Sequence, residues 1–147
     1  MSPADCVLCS TTGGTLVFQG AKFRVIRAQE VGFPAFYRVV WNAHVAEFSD
    51  LSEANRACCM AAVNGVEQAL RSQLPPCKIN LAALGNAVAH LHWHVIARFV
   101  WDSHFPAPVW CTAQRPIDAV AVAAVEARLG AVELAIERGL TALSPVL

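Results

Sequence analysis

The chain has 147 residues, of which 56% are hydrophobic and 15% charged, and its 11 basic and 11 acidic residues cancel. That length and apolar content predict a single domain over residues 1–147 with a substantial core, and they exclude a disordered chain. No basic block is interleaved with aromatics, which argues against a nucleic-acid partner, and no apolar run reaches the ~20 residues of a membrane span. Residues Met1 to Ser10 carry Asp5 and lack the basic start and apolar centre of a secretory leader. A cytoplasmic, reducing location is therefore expected, with the six cysteines read as metal ligands or buried thiols. The sparse charge also points to a homodimer that covers apolar surface.

Cys6-Val7-Leu8-Cys9 comes first. Two thiols at this spacing can chelate one ion from a tight turn, and thiolates suit zinc; buried thiols or a redox pair are the alternatives. A lone pair must recruit its remaining ligands elsewhere, and histidines are the candidates. Thr15–Gln19 and Lys22–Arg27 predict a hairpin around Gly20-Ala21, and Phe36–Trp41 predicts a third strand after a loop from Gln29 to Pro34. Asn42-Ala43-His44 follows. Asp50 with Glu53 reads as a capping-box start for a helix that runs to about Leu74 and stops before Pro75-Pro76. Leu51, Cys58, Ala62, Val66 and Leu70 recur at helical spacing, which makes Cys58 a core filler. Cys59, Cys77 and Cys111 show no partner pattern.

Lys78–Leu84 predicts a buried strand, interrupted by Gly85-Asn86-Ala87 before a second strand from Ala89 to Phe99. Gly85 can bring backbone N–H groups close to a ligand, one way of holding phosphate without much charge. Trp101–Cys111 contains Pro106 and Pro108 and reads as an irregular surface segment, with His104 a loop residue. Pro116 opens an amphipathic helix to about Arg138, ending at Gly139, with Ile117, Val120, Ala124, Leu129, Val132 and Ile136 as core candidates. This order of elements predicts an α+β fold: a mostly antiparallel five-stranded sheet with two main helices. Neither G-x-G-x-x-G nor a Walker motif is present.

The stretch His90-Leu91-His92-Trp93-His94-Val95-Ile96 alternates imidazoles with apolar side chains. A period of two puts His90, His92 and His94 on one strand face and Trp93 on the packed face. At roughly 3.3 Å per residue the outer two are about 13 Å apart, so the three cannot share one ion. One end histidine can join Cys6, Cys9 and His44 in a closed two-sulfur, two-nitrogen site. Such a site is structural, and it leaves His92 free for chemistry.

The histidine stretch, Asn42-Ala43-His44 with Asp50-Leu51, and Cys6-x-x-Cys9 together resemble the histidine-triad (HIT) family, in its zinc-containing bacterial branch. The resemblance covers roughly residues 4–110 and is strongest over Gly85–Phe99, where the chain is similar to proteins described as diadenosine polyphosphate hydrolases. It implies that His92 is the nucleophile at an α-phosphate, forming a nucleotidyl-histidine intermediate. It further implies that His94 contacts phosphate oxygens, that the Asn86 amide steadies a phosphate or bridging oxygen beside Gly85, and that His90 joins Cys6, Cys9 and His44 around a structural zinc. Purine nucleotides are the implied substrates, and a homodimer the implied assembly. The sequence departs from the family pattern at Asn86, where glutamine is commoner, and at Ala87, where many members carry a hydroxyl. Ala89 and Ala97 also stand where a more distinctive residue is common. Alternatives to an enzyme are a nucleotide-binding regulatory module with weak or no catalysis, and a zinc-stabilised interaction protein.

Overall fold

A computed structural model describes residues 2–143. Its five strands are β1 (Thr15–Gln19), β2 (Phe23–Arg27), β3 (Phe36–Trp41), β4 (Lys78–Ala82) and β5 (His92–Arg98). They lie in the order β1-β2-β3-β5-β4, with every neighbouring pair antiparallel. The helices are α1 (Val7–Ser10), α2 (Glu53–Gln73), α3 (Ala119–Glu126) and α4 (Leu129–Leu143), so the α+β expectation holds. Among the described residues no helix is long and apolar enough to cross a membrane.

Strand alternation sorts the side chains into two faces. Tyr37 and Val39 of β3 and Val95 of β5 join a core with Ala62, Val66 and Leu70 of α2 and Val132, Ile136 and Leu140 of α4. Burying each large aliphatic contributes on the order of 1.5–3 kcal/mol. A Cβ on Gly65 would stand 2.9 Å from the Leu140 side chain, so glycine is what lets α4 approach α2 this closely. The other face carries Arg38, Val40, His92 and His94. There β3 and β5 pair Val40 with His92, Arg38 with His94 and Phe36 with Ile96. Among the described residues no long helix covers it. Two small apolar clusters flank it instead: Cys6, Leu8, Ile26 and Val40 at one end, and Ala28, Phe33, Phe36 and Ile96 at the other. Asn42 pins the β1–β2 turn by donating its side-chain amide to the Gly20 and Ala21 carbonyls.

Four boundaries differ from the sequence reading. The capping box of Asp50 is made with Glu47 around a short 3-10 turn, Phe48–Asp50, and α2 is capped by Ser52, whose hydroxyl accepts from the Asn55 N–H. Strand β4 ends at Ala82 and is not buried: as an edge strand it leaves Lys78 and Leu81 exposed. Strand β5 starts at His92 instead of Ala89, because the backbone ahead of it pairs elsewhere, the Leu91 N–H donating to the Val45 carbonyl and the His90 N–H to Val88. The expected single helix over 116–139 is two helices. Asp118 caps α3 by accepting from Ala121 N–H, and Arg128 donates to the Gln73 carbonyl at the end of α2, fixing where α4 begins. Gly139 lies inside α4 in open space and does not stop it. Leu129, Val132 and Ile136 are buried as expected, whereas Ile117, Val120 and Ala124 are exposed.

Candidate functional site

The single turn of α1 presents Cys6 and Cys9 to His44, in the loop after β3, and His90, just before β5. His90 Nδ1 lies 3.4 Å from both sulfurs and 3.3 Å from His44 Nδ1, and Cys9 Sγ lies 3.3 Å from His44 Nδ1. A tetrahedral zinc with bonds of ~2.3 Å to sulfur and ~2.0–2.1 Å to nitrogen needs separations of about 3.3 Å between nitrogens, about 3.5 Å between nitrogen and sulfur and about 3.8 Å between sulfurs. These four separations fit that requirement, and all four donor atoms lie within 4.8 Å of one another. His90 Nε2–H donates to the Trp41 carbonyl at 2.6 Å, which leaves Nδ1 unprotonated and aimed at the other donors. The cluster can therefore hold a metal ion, and with four protein ligands it has no open position for a substrate. Cys58, Cys59, Cys77 and Cys111 are free thiols outside it. Burial pushes the Cys59 thiol up to about 12.

Arg24 of β2 underlies this turn. Its buried guanidinium donates to the carbonyls of Leu8 at 2.7 Å, Thr12 at 3.2 Å and Thr11 at 3.3 Å, tying the segment after the cysteines to the sheet. Gly13 follows at φ +85°, a conformation that favours glycine, packed tightly against Leu8.

The other two triad histidines stand apart from the cluster and are set as opposite tautomers. His92 Nδ1–H donates to the His90 carbonyl at 2.6 Å, so its Nε2 carries a free lone pair. Burial lowers its pKa, only partly offset by that hydrogen bond, which favours the neutral, nucleophilic ring. His94 Nδ1 instead accepts from Arg38 Nε–H at 3.4 Å, which places its proton on Nε2. Burial, with His92 and Arg38 adding repulsion, pushes its pKa down to about 3. One ring thus offers an electron pair and its neighbour a donor.

Both rings line a cavity of about 430 Å³. Gly85, Asn86 and Ala87 line it as well, with Gly85 at φ +75° where the chain turns between β4 and β5. The structure thus brings Gly85, Asn86, His92 and His94 together, and keeps Cys6, Cys9, His44 and His90 as a separate group beside them. His104 is in neither; it hydrogen-bonds Ser103 and packs on Phe33.

Two cavity residues escaped the sequence reading. Arg38 brings a cationic side chain to the wall, and its signal was a lone charge inside an apolar strand. Trp110 comes from the segment read as irregular surface, its ring 5.1 Å from that of His94. Arg98 is buried and donates two hydrogen bonds to the Asp102 carboxylate, at 2.8 and 3.0 Å.

A family model described as the HIT domain matches residues 12–100, more than half of the chain. The chain belongs to the HIT family. A histidine triad protein from Bradyrhizobium japonicum has a similar structure, with a TM-score of 0.70 at 28% identity over 85% of this chain and 92% of that one. Another, from Sinorhizobium meliloti, gives a TM-score of 0.66 at 27% identity over 84% and 88%. A zinc-bound HIT family protein from Mycobacterium smegmatis shares the fold with a TM-score of 0.63, at 18% identity over 92% and 95%. No curated protein matches the sequence.

Proposed function

We propose that this HIT protein is a nucleotide hydrolase or transferase that cleaves purine nucleoside phosphates at the α-phosphorus. Dinucleoside polyphosphates and nucleoside phosphoramidates are the substrate classes. The observation that carries the reading is the hydrogen bond from His92 Nδ1–H to the His90 carbonyl, which sets a neutral imidazole with a free Nε2 in a cavity wall. His92 Nε2 attacks the phosphorus, forming a P–N bond as the bond to the leaving oxygen or nitrogen breaks with its electron pair. The leaving atom takes up a proton. Water, or another acceptor, then attacks the same phosphorus, releases the nucleoside monophosphate and a proton, and restores the imidazole. His94 Nε2–H, the Asn86 amide, the backbone at Gly85 and the Arg38 guanidinium hold the phosphate oxygens.

The ion we assign to Cys6, Cys9, His44 and His90 is zinc, in a structural role. A second reading, a nucleotide-binding module with weak catalysis, is favoured by Ala87, which brings no hydroxyl to the cavity wall for the leaving group. A panel of diadenosine polyphosphates and adenosine phosphoramidates tests both. The wild-type protein releases AMP, and His92→Ala loses roughly 10⁴-fold or more in kcat. Unchanged turnover of both classes in that variant overturns the mechanism, whereas tight AMP binding without any turnover favours the second reading.

A further inference from the structure

The cavity has two unlike apolar ends with the imidazole pair between them. At one end Leu8 is buried with Cys6, Ile26 and Val40, the β3 partner of His92, and forms an aliphatic wall. At the other stands Trp110, 51% exposed, beside Phe36, the β3 partner of Ile96. The indole makes its ring contacts at steep angles, 66° to His94 and 87° to Phe36, so neither ring is stacked on its face.

A half-exposed tryptophan on a surface segment has little packing reason to be anchored, yet the chain on both sides of this one is tied down. Buried Asp102 accepts from Arg98 and from the N–H groups of Phe99, His104 and Phe105. Arg98 also donates to the Ala107 carbonyl at 2.8 Å. Arg115 closes the segment from outside, donating to the carbonyls of Asp102 and Phe105, each at 2.7 Å. These bonds order the segment that delivers an amphipathic ring to the cavity wall, which lowers the ordering cost left to a ligand.

We infer that Trp110 forms a second subsite, which stacks a planar aromatic ring carried by the substrate beyond the reacting phosphate. The aliphatic Leu8 end takes the nucleoside of the transferred nucleotide, and the aromatic Trp110 end takes the leaving group. Among the proposed substrates this favours dinucleoside polyphosphates, whose second base is such a ring, over nucleotides that end in a small aliphatic group. The inference rests on the reading of this cavity as the nucleotide site.

The test uses diadenosine tetraphosphate and an adenosine tetraphosphate closed by a methyl ester, each titrated calorimetrically into the wild-type, Trp110→Leu and Trp110→Phe proteins. Base–aromatic stacking supports a preference for the two-ringed compound on the order of tenfold in the wild type. Trp110→Leu abolishes that preference by weakening the two-ringed compound alone, and Trp110→Phe keeps most of it; in turnover the same change falls on KM more than on kcat. Equal weakening of both compounds, or no weakening, overturns the subsite. A binding preference without turnover leaves the subsite standing while the proposed chemistry fails. Failure of both compounds to bind the wild-type protein removes the subsite along with the nucleotide reading.

Discussion

The carbonyl of His90 accepts the His92 Nδ1–H at 2.6 Å while the imidazole of His90 lies in the cluster with Cys6, Cys9 and His44. One residue therefore belongs to the cluster with Cys6, Cys9 and His44 through its ring and positions the neighbouring imidazole through its backbone. Stripping the ion with a chelator, or Cys6→Ser, is expected to lower kcat by about 10–100-fold without abolishing it, the range typical of disturbing groups that orient a site. The melting temperature should fall in parallel. Elemental analysis and thermal melts check this, and unchanged metal content and stability in Cys6→Ser would remove zinc from the account.

Arg24 extends the same logic to the N-terminal turn. Its guanidinium ties three carbonyls between Leu8 and Thr12, and it does so from a buried position that a lysine cannot reproduce bond for bond. Arg24→Met should release zinc to a chromophoric chelator faster than the wild type, with Arg24→Lys in between. Equal release rates in all three proteins would mean the turn holds its shape without this residue.

The Arg98–Asp102 pair is the anchor of the loop that carries Trp110. Removing one member of a buried pair leaves the other charge uncompensated, so Asp102→Asn should cost about 3–5 kcal/mol in chemical denaturation. Burial alone would raise the Asp102 carboxyl, but Arg98 and the His104 and Phe99 N–H groups outweigh it and hold it below the ordinary value of 3.8. A depressed acid stabilises the fold above its unfolded pKa, and that contribution is lost as pH falls through the folded one. The acid limb of the stability curve should accordingly be shallower in Asp102→Asn.

His94 adds acid sensitivity of the same sign, through a base kept neutral instead of an acid kept charged. The folded protein keeps its ring neutral down to about 3, whereas the unfolded chain binds the proton near 6.5. The unfolded state therefore binds more protons between those values, and stability should decline as pH falls through that window. In NMR the His94 ring should show no titration from pH 8 to pH 4. A midpoint near 6.5 would contradict the buried environment described for it.

The sheet was legible because its strands are short, aromatic or β-branched runs set off by Gly20-Ala21 and Pro34, and local chemistry of that kind survives into the fold. The separation of His90 from His92 and His94 was legible too, since strand spacing forbids a shared ion. Other features were decided by distant partners that no local pattern reports. Trp41 and Val45 draw the backbone around His90 out of the ladder, the Gln73 carbonyl receives Arg128 where the C-terminal helix divides, and the position of β4 at the sheet edge exposes Leu81. Arg38 and Trp110 reach the cavity only because β3 pairs with β5 and Asp102 folds the proline-containing segment back over it.

The most direct test of the nucleophile is mass spectrometry of protein quenched in acid-free conditions during turnover of a diadenosine polyphosphate. An adenylyl group is expected on the peptide containing His92 and is absent from His92→Ala. Full turnover in the wild type with no adduct at any time, and equal turnover in His92→Ala, would contradict it.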